Sequence, residues 1–382
     1  MLLEWARKRQ PEVVDFIRQL VECESPSDSP PDLRRFNELF ADSIQAEASC
    51  QTKQTHLLCK FRLPGRVTKQ SQKQSQILVL GHSDTVWPLG TLQTMPFRRA
   101  EGRLWGPGVL DMKAGLAMFV FAMRALRELD IPVRRHVVLQ INSDEETGSK
   151  TSRTLTERNA KQSQSVLVLE PGTGLTGKLK TARKGIGDYR LTVRGVAAHA
   201  GVDFEKGASA VVELARQIER ISGFTDLRRG ITVNPGVVSG GTRSNVIAEY
   251  AEAHIDIRLP RMRDFAPLDR KFHTLKPFDK RCSLEITGGL NRPPLERTKG
   301  VIELFRLARK LAKELGVDLE ESSTGGGSDG NFTAALGVPT LDGLGAVGEG
   351  AHAAHESILE HRIADRIALL AKLISAELPS PR

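Results

Sequence analysis

The chain has 382 residues, 40% hydrophobic, 26% charged and 5% aromatic, which excludes a disordered, collagenous or coiled-coil protein. Lys and Arg number 55 against 46 Asp and Glu, a formal +9. That excess allows a nucleic acid, an anionic membrane surface or a small anionic substrate as partner. At ~150 residues per domain the length predicts two domains.

At the N-terminus the apolar Leu2 and Leu3 precede Arg7-Lys8-Arg9, the reverse of a secretory signal, so a cytoplasmic protein is expected. No apolar run approaches the ~18 residues of a membrane span. Cys23, Cys50, Cys59 and Cys282 lack CxxC spacing and framework density, and are expected as buried, reduced thiols. Apolar residues recur with helical spacing over Pro11–Cys23. The run Ser25-Pro26-Ser27-Asp28-Ser29-Pro30-Pro31 then breaks the chain before a second helix from Asp32 to about Ala46. His56–Leu63 reads as a strand and the polar Arg66–Gln76 as a solvated loop. That loop has no interleaved aromatics for stacking bases.

Three apolar runs, Ile77–Leu80, His136–Ile141 and Val166–Leu169, read as buried strands. Each ends in residues capable of chemistry: Gly81-His82-Ser83-Asp84, Asn142-Ser143-Asp144-Glu145-Glu146, and Glu170-Pro171. An amphipathic helix over Lys113–Leu129 separates the first two. Strands alternating with helices predict an α/β fold with a mixed, largely parallel sheet, and such sheets bind ligands at the carboxyl ends of their strands. Residues 187–292 instead follow a βαββαβ order, the ferredoxin-like split motif. The predicted organisation is therefore a discontinuous domain, 1–186 and 293–382, with an α+β domain inserted at 187–292. An amphipathic helix over Gly300–Gly316, a glycine-rich loop at Thr324–Asp329 and a closing helix over His361–Leu378 complete the first domain.

Taken singly, the polar residues keep ordinary readings: His82 as a histidine near a turn, Asp111 as a helix cap, Glu145 and Glu146 as a solvated acidic turn. Their chemical reading is a metal-assisted hydrolase, which needs N/O ligands and a general base beside an activated water. His82 and Asp84, two apart in an extended segment, share one face, so the Asp84 carboxylate is placed to orient the imidazole.

Five motifs carry a resemblance. GHSDTV (Gly81–Val86), GPGVLDMKAG (Gly106–Gly115), SDEETGS (Ser143–Ser149), LEP (Leu169–Pro171) and GVAAHAG (Gly195–Gly201) are together similar to the zinc peptidase and deacylase family. That family holds acetylornithine deacetylase, succinyl-diaminopimelate desuccinylase, aminoacylase and bacterial glutamate carboxypeptidase, and the long forms resemble the last most. The resemblance implies a three-layer zinc-exopeptidase-like catalytic domain and an inserted lid and dimerisation domain. It also implies two Zn²⁺ per chain, with Co²⁺ or Mn²⁺ suited to the same ligands. His82, Asp111 and Glu170 would surround one ion; Asp111 would bridge to a second, held by Glu146 and a late histidine. Asp84 would orient His82, Glu145 would be the general base, and the Asp111–Met112 peptide would be cis. Of His352 and His355, the former stands four residues before Glu356 and fits the family pattern as ligand. His199 would stabilise an oxyanion, and Asn245 and Arg258 would grip a substrate carboxylate.

The implied activity is hydrolysis of an amide beside a free carboxylate, in the manner of a glutamate carboxypeptidase. The alternatives are an N-acyl amino acid deacylase and, more remotely, a non-catalytic binding protein. The implied partners are a small anionic peptide or N-acyl amino acid and a second copy of the chain, not nucleic acid or membrane.

Overall fold

The computed structural model describes residues 1–65 and 76–378; all of the Arg66–Gln76 stretch except Gln76 lies outside them. The chain divides into two compact units: Met1–Ala182 with Arg297–Ser323 and Ser328–Arg382, and Arg183–Glu296 with Thr324–Gly327. Among the described residues no helix is long and apolar enough to cross a membrane.

The first unit is built on a six-stranded sheet. Gln76–His82 lies between His136–Asn142 and Ser163–Val168, parallel to both, and Thr340–Leu341 extends the parallel side. His56–Phe61 and Ala48–Lys53 add an antiparallel edge. Side-chain alternation sorts the strands into two cores. Ile77, Val79, Val137 and Leu139 face a large core closed by the helices Gln10–Glu22, Ala114–Glu128 and Ile363–Ser375. Leu78, Leu80, Val138, Val166 and Val168 face a smaller one with Ala160 and Val338. Helices on both faces of one sheet make the three-layer α/β fold. Ala114–Glu128 is apolar around most of its circumference, which suits a helix pressed between sheet and outer helices.

A second, four-stranded antiparallel sheet joins distant parts of the same unit. Its order is Gly348–Glu349, Ser357–Leu359, Arg103–Trp105, Arg98–Ala100. The short segments that form it carry no period long enough to read from sequence.

Cys50 and Cys59 are directly opposite in the Ala48–Lys53/His56–Phe61 hairpin and form a disulfide. The expectation of four reduced thiols is corrected there. Antiparallel register, invisible in Cys spacing, sets the two residues side by side. Cys23 and Cys282 are free and buried.

The second unit has the order strand Gly185–Arg194, helix Ala210–Ser222, strands Thr232–Gly240 and Tyr250–Leu259, helix Phe265–His273, strand Ser283–Arg292. Gly185–Arg194 pairs with both Tyr250–Leu259 and Ser283–Arg292, and Thr232–Gly240 forms the other edge, the ferredoxin-like arrangement. Ser209 caps its first helix by accepting from the Val212 N–H.

Candidate metal centre

His82 ends the strand Gln76–His82 directly beside Asn142, the last residue of its parallel neighbour. Its ring is 2% exposed. Nδ1 donates to the main-chain carbonyl of Asp84 at 2.9 Å, while the Asp84 carboxylate stands 3.6 Å away. The carbonyl thus does the orienting expected of the carboxylate. The carboxylate is turned to the next loop, where it accepts the amides of Glu145 (3.2 Å) and Glu146 (3.1 Å) and the Ser27 hydroxyl (3.0 Å). Burial lifts the Asp84 carboxyl to about 6.

His82 Nε2 meets Asp111 Oδ1 at 3.1 Å and Glu170 Oε1 at 3.5 Å. Burial alone would lower this imidazole, but the Asp111 and Glu170 carboxylates raise it well above its ordinary value. Asp111 lies in the non-helical approach to Ala114–Glu128, and its peptide bond to Met112 is cis. The Met112 sulfur accepts the His82 amide at 3.3 Å.

The other Asp111 oxygen, Oδ2, is 3.5 Å from Nε2 of His352, which also lies 3.2 Å from Glu146 Oε1. These two carboxylates, Asp111 first, raise His352 to about 10. Despite burial, the two imidazoles hold the Asp111 carboxyl well below the usual carboxylate range. His352 has φ +61°, at the tip of a turn closed by the Ala353 N–H donating to the Gly350 carbonyl. His355, the other late histidine, is exposed.

Glu170 follows Ser163–Val168 and is 7% exposed. Two glycines allow the close approach that seats it. A Cβ at Gly115 or Gly345 would come within 2.4 or 2.0 Å of the Leu169 carbonyl oxygen. Possible ligand atoms of His82, Glu145 and Glu170 lie within 4.8 Å of one another, as do those of His82, Asp111 and Glu146. Seven expected residues, His82, Asp84, Asp111, Glu145, Glu146, Glu170 and His352, therefore meet within one unit. Borderline nitrogen donors among carboxylates form a donor set suited to divalent zinc, cobalt or manganese.

The remaining three belong to the second unit. His199 and Asn245 meet at one ladder, where Ala198–His199 pairs with Val246–Ile247 and the Ala200 N–H donates to the Asn245 carbonyl. The His199 ring is exposed, and Nδ1 accepts the Gly201 amide at 3.1 Å. Arg258 stands near the end of Tyr250–Leu259. Its guanidinium is engaged by Asp256 (Nε to Oδ1, 2.9 Å; Nη2 to Oδ2, 2.9 Å) and by the Gly325 carbonyl.

One residue carries a role that sequence reasoning did not assign. Glu356 is fully buried, and its carboxylate accepts four N–H groups: the Trp87 indole (2.9 Å) and the amides of Gly108 (2.9 Å), Leu110 (2.8 Å) and Asp111 (3.0 Å). The available signal was a lone glutamate four residues after a ligand-type histidine.

A family model described as peptidase family M20/M25/M40 matches residues 78–376. This chain belongs to that family. It is a metal-dependent hydrolase of the peptidase and deacylase class. Carboxypeptidase G2 of Pseudomonas sp. (strain RS-16) is 28% identical, over 98% of this chain and 91% of its own length. Succinyl-diaminopimelate desuccinylase of Acidovorax ebreus is 29% identical, over 76% of this chain and 77% of its own. The solved structure of aminopeptidase PepT from Bacillus cereus shares the fold. Its TM-score is 0.77 at 23% identity, covering 96% of this M20 hydrolase and 98% of that chain.

Proposed function

We propose that this M20 hydrolase is a two-metal exopeptidase that cleaves an amide beside a free carboxylate and releases a C-terminal amino acid, with glutamate as the proposed residue. The observation that carries the reading is Asp111, whose two oxygens face two different imidazoles, His82 and His352. Glu170 completes the His82 side and Glu146 the His352 side. We assign these five residues as ligands of two divalent ions, zinc by donor chemistry. Bound there, the ions supply Lewis-acid polarisation of the scissile carbonyl and activation of water near neutral pH.

The protein's own groups do the rest. The Asp84 carbonyl keeps the proton on His82 Nδ1, which leaves Nε2 to face the ligand position. The Asp84 carboxylate pins the Glu145 and Glu146 amides, so the two side chains leave a fixed backbone. Glu146 is committed to His352; Glu145 is the general base that takes a proton from the attacking water and returns it to the leaving amine. His199 donates to the oxyanion of the tetrahedral intermediate. Asn245 and Arg258 bind the substrate carboxylate, with Arg258 sharing its planar fork between Asp256 and the substrate. In this reading the first unit is the catalytic domain. The second is a lid and dimerisation domain, consistent with the exposed apolar Val237 and Val238 on its edge strand.

Similarity to carboxypeptidase G2 along nearly the whole chain supports release of a C-terminal residue. A second reading, N-acyl amino acid deacylase, is supported by comparable identity to the desuccinylase. Turnover of N-acyl-glutamate, N-acetyl-ornithine and simple dipeptides by zinc-loaded protein separates the two. Preference for the glutamyl conjugates supports the first reading, and preference for N-acetyl-ornithine supports the second.

A further inference from the structure

The loop Gly106–Asp111 turns its amides inward. Gly106 (φ +151°) and Gly108 (φ +71°) both hold backbone conformations that favour glycine. The N–H groups of Gly108, Leu110 and Asp111 then converge on a single anion, the Glu356 carboxylate. Such a convergence of amides is an anion cradle, and here its occupant is a side chain from 245 residues away in sequence. Oε1 takes Leu110 and Asp111; Oε2 takes Gly108 and the Trp87 indole. The carboxylate has no exposed surface, so removing it leaves buried amides unpaired.

Glu356 also stands at the base of the turn that presents His352. Its own amide donates to the Ala353 carbonyl at 2.9 Å, and the Ala353 amide donates to the Gly350 carbonyl. Just beyond, Ser357–Leu359 pairs with Arg103–Trp105, the strand that leads into the Asp111 loop. One residue thereby ties together the two segments whose side chains meet at Asp111 Oδ2 and His352 Nε2, 3.5 Å apart.

We propose that Glu356 is a positioning residue that holds the Asp111 loop and the His352 turn in register and so sets the metal affinity of the Asp111–Glu146–His352 side. This rests on the reading of the cluster as a metal centre. Among the described residues Glu356 makes no hydrogen bond to a ligand side chain; it acts through the Asp111 amide and the backbone just after His352.

The test is zinc affinity, measured by competition with a fluorescent chelator, together with kcat and KM across zinc concentrations. It is made on wild type, Glu356→Gln and Trp87→Phe. Glutamine keeps the shape but presents an NH2 group where two N–H donors need an acceptor. The expected result is two zinc ions per wild-type chain, with one of the two bound about 10–100-fold more weakly in Glu356→Gln. KM should stay within about threefold, and added zinc should restore kcat. Trp87→Phe removes one donor and leaves the three amides, so it should shift the same ion in the same direction by less. A folded Glu356→Gln with wild-type affinity for both ions overturns the proposal. If Glu356→Gln does not fold, the decision passes to Trp87→Phe, where unchanged affinity overturns it. Wild-type protein that takes up no zinc removes the premise, and that failure is visible before any substitution is compared.

Discussion

Asp111 Oδ1 lies 3.1 Å from Nε2 of His82, while its Oδ2 lies 3.5 Å from Nε2 of His352. A carboxylate placed between two imidazoles in this way is built to serve two positions at once. Removing its charge should damage both, whereas removing either histidine should damage one. Asp111→Asn is expected to purify with little or no metal, and His352→Ala with about half the wild-type content. Elemental analysis of the dialysed variants decides the matter. Full metal content in Asp111→Asn would contradict the bridging role.

The same geometry sets a pH dependence. Without metal, His352 is held near pKa 10 by Asp111 and Glu146, and His82 well above its ordinary value by Asp111 and Glu170. Both rings are therefore protonated at pH 7 and must lose the Nε2 proton to become ligands. Affinity should rise as pH climbs from about 6.5 toward about 10, the direction opposite to a proton-assisted site. Calorimetry of zinc uptake at pH 7.5 in two buffers of different ionisation enthalpy should detect release of about two protons per chain. No net release would show that the imidazoles are not ligands.

Much of this centre was legible in the residue order because short buried strands leave little choice. Ile77–Leu80, His136–Ile141 and Val166–Leu169 are apolar runs, and the residues that follow them had to emerge at one end of a parallel sheet. The family resemblance favours His352 over His355 as ligand, and His352 reaches Glu146. What stayed hidden depends on long-range register. Trp87 and Glu356 are 269 residues apart, and nothing local marks the glutamate as a buried acceptor of four N–H groups. The Cys50–Cys59 pairing depends on hairpin register. The use of the Asp84 carbonyl instead of its carboxylate depends on a turn whose dihedral angles no periodicity specifies.

Arg258 offers a test of substrate recognition. Its ion pair with Asp256 is partly exposed, with 30% and 41% of the two side chains open to solvent. The pair therefore contributes at most ~1 kcal/mol to stability. Arg258→Ala should leave the midpoint of chemical unfolding nearly unchanged. It should raise KM for carboxylate-bearing substrates about tenfold or more, with a smaller change in kcat. An unchanged KM would remove Arg258 from the substrate site.

Arg366 supports the Thr173–Lys178 turn that follows Glu170 in sequence. Its guanidinium is buried and donates to the carbonyls of Gly177 and Gly343, and among the described residues no carboxylate is bonded to it. Burial pulls it down to about 10, so it remains a cation at neutral pH. Arg366→Ala leaves both carbonyls unpaired and opens a cavity, a cost of about 3 kcal/mol or more. Urea denaturation should show that loss. A variant as stable as wild type would mean that water replaces the guanidinium without cost.

The most direct measurement of the catalytic account is Glu145→Gln, assayed for metal content and turnover on the same sample. The donor atoms of Glu145, His82 and Glu170 lie within 4.8 Å of one another, yet Glu145 is assigned to proton transfer and not to metal binding. The variant should bind as much metal as wild type and lose about 10³-fold or more in kcat, within the range set by removing a general base. Substantial residual kcat in a fully metal-loaded Glu145→Gln would contradict the account, as would loss of metal in parallel with activity.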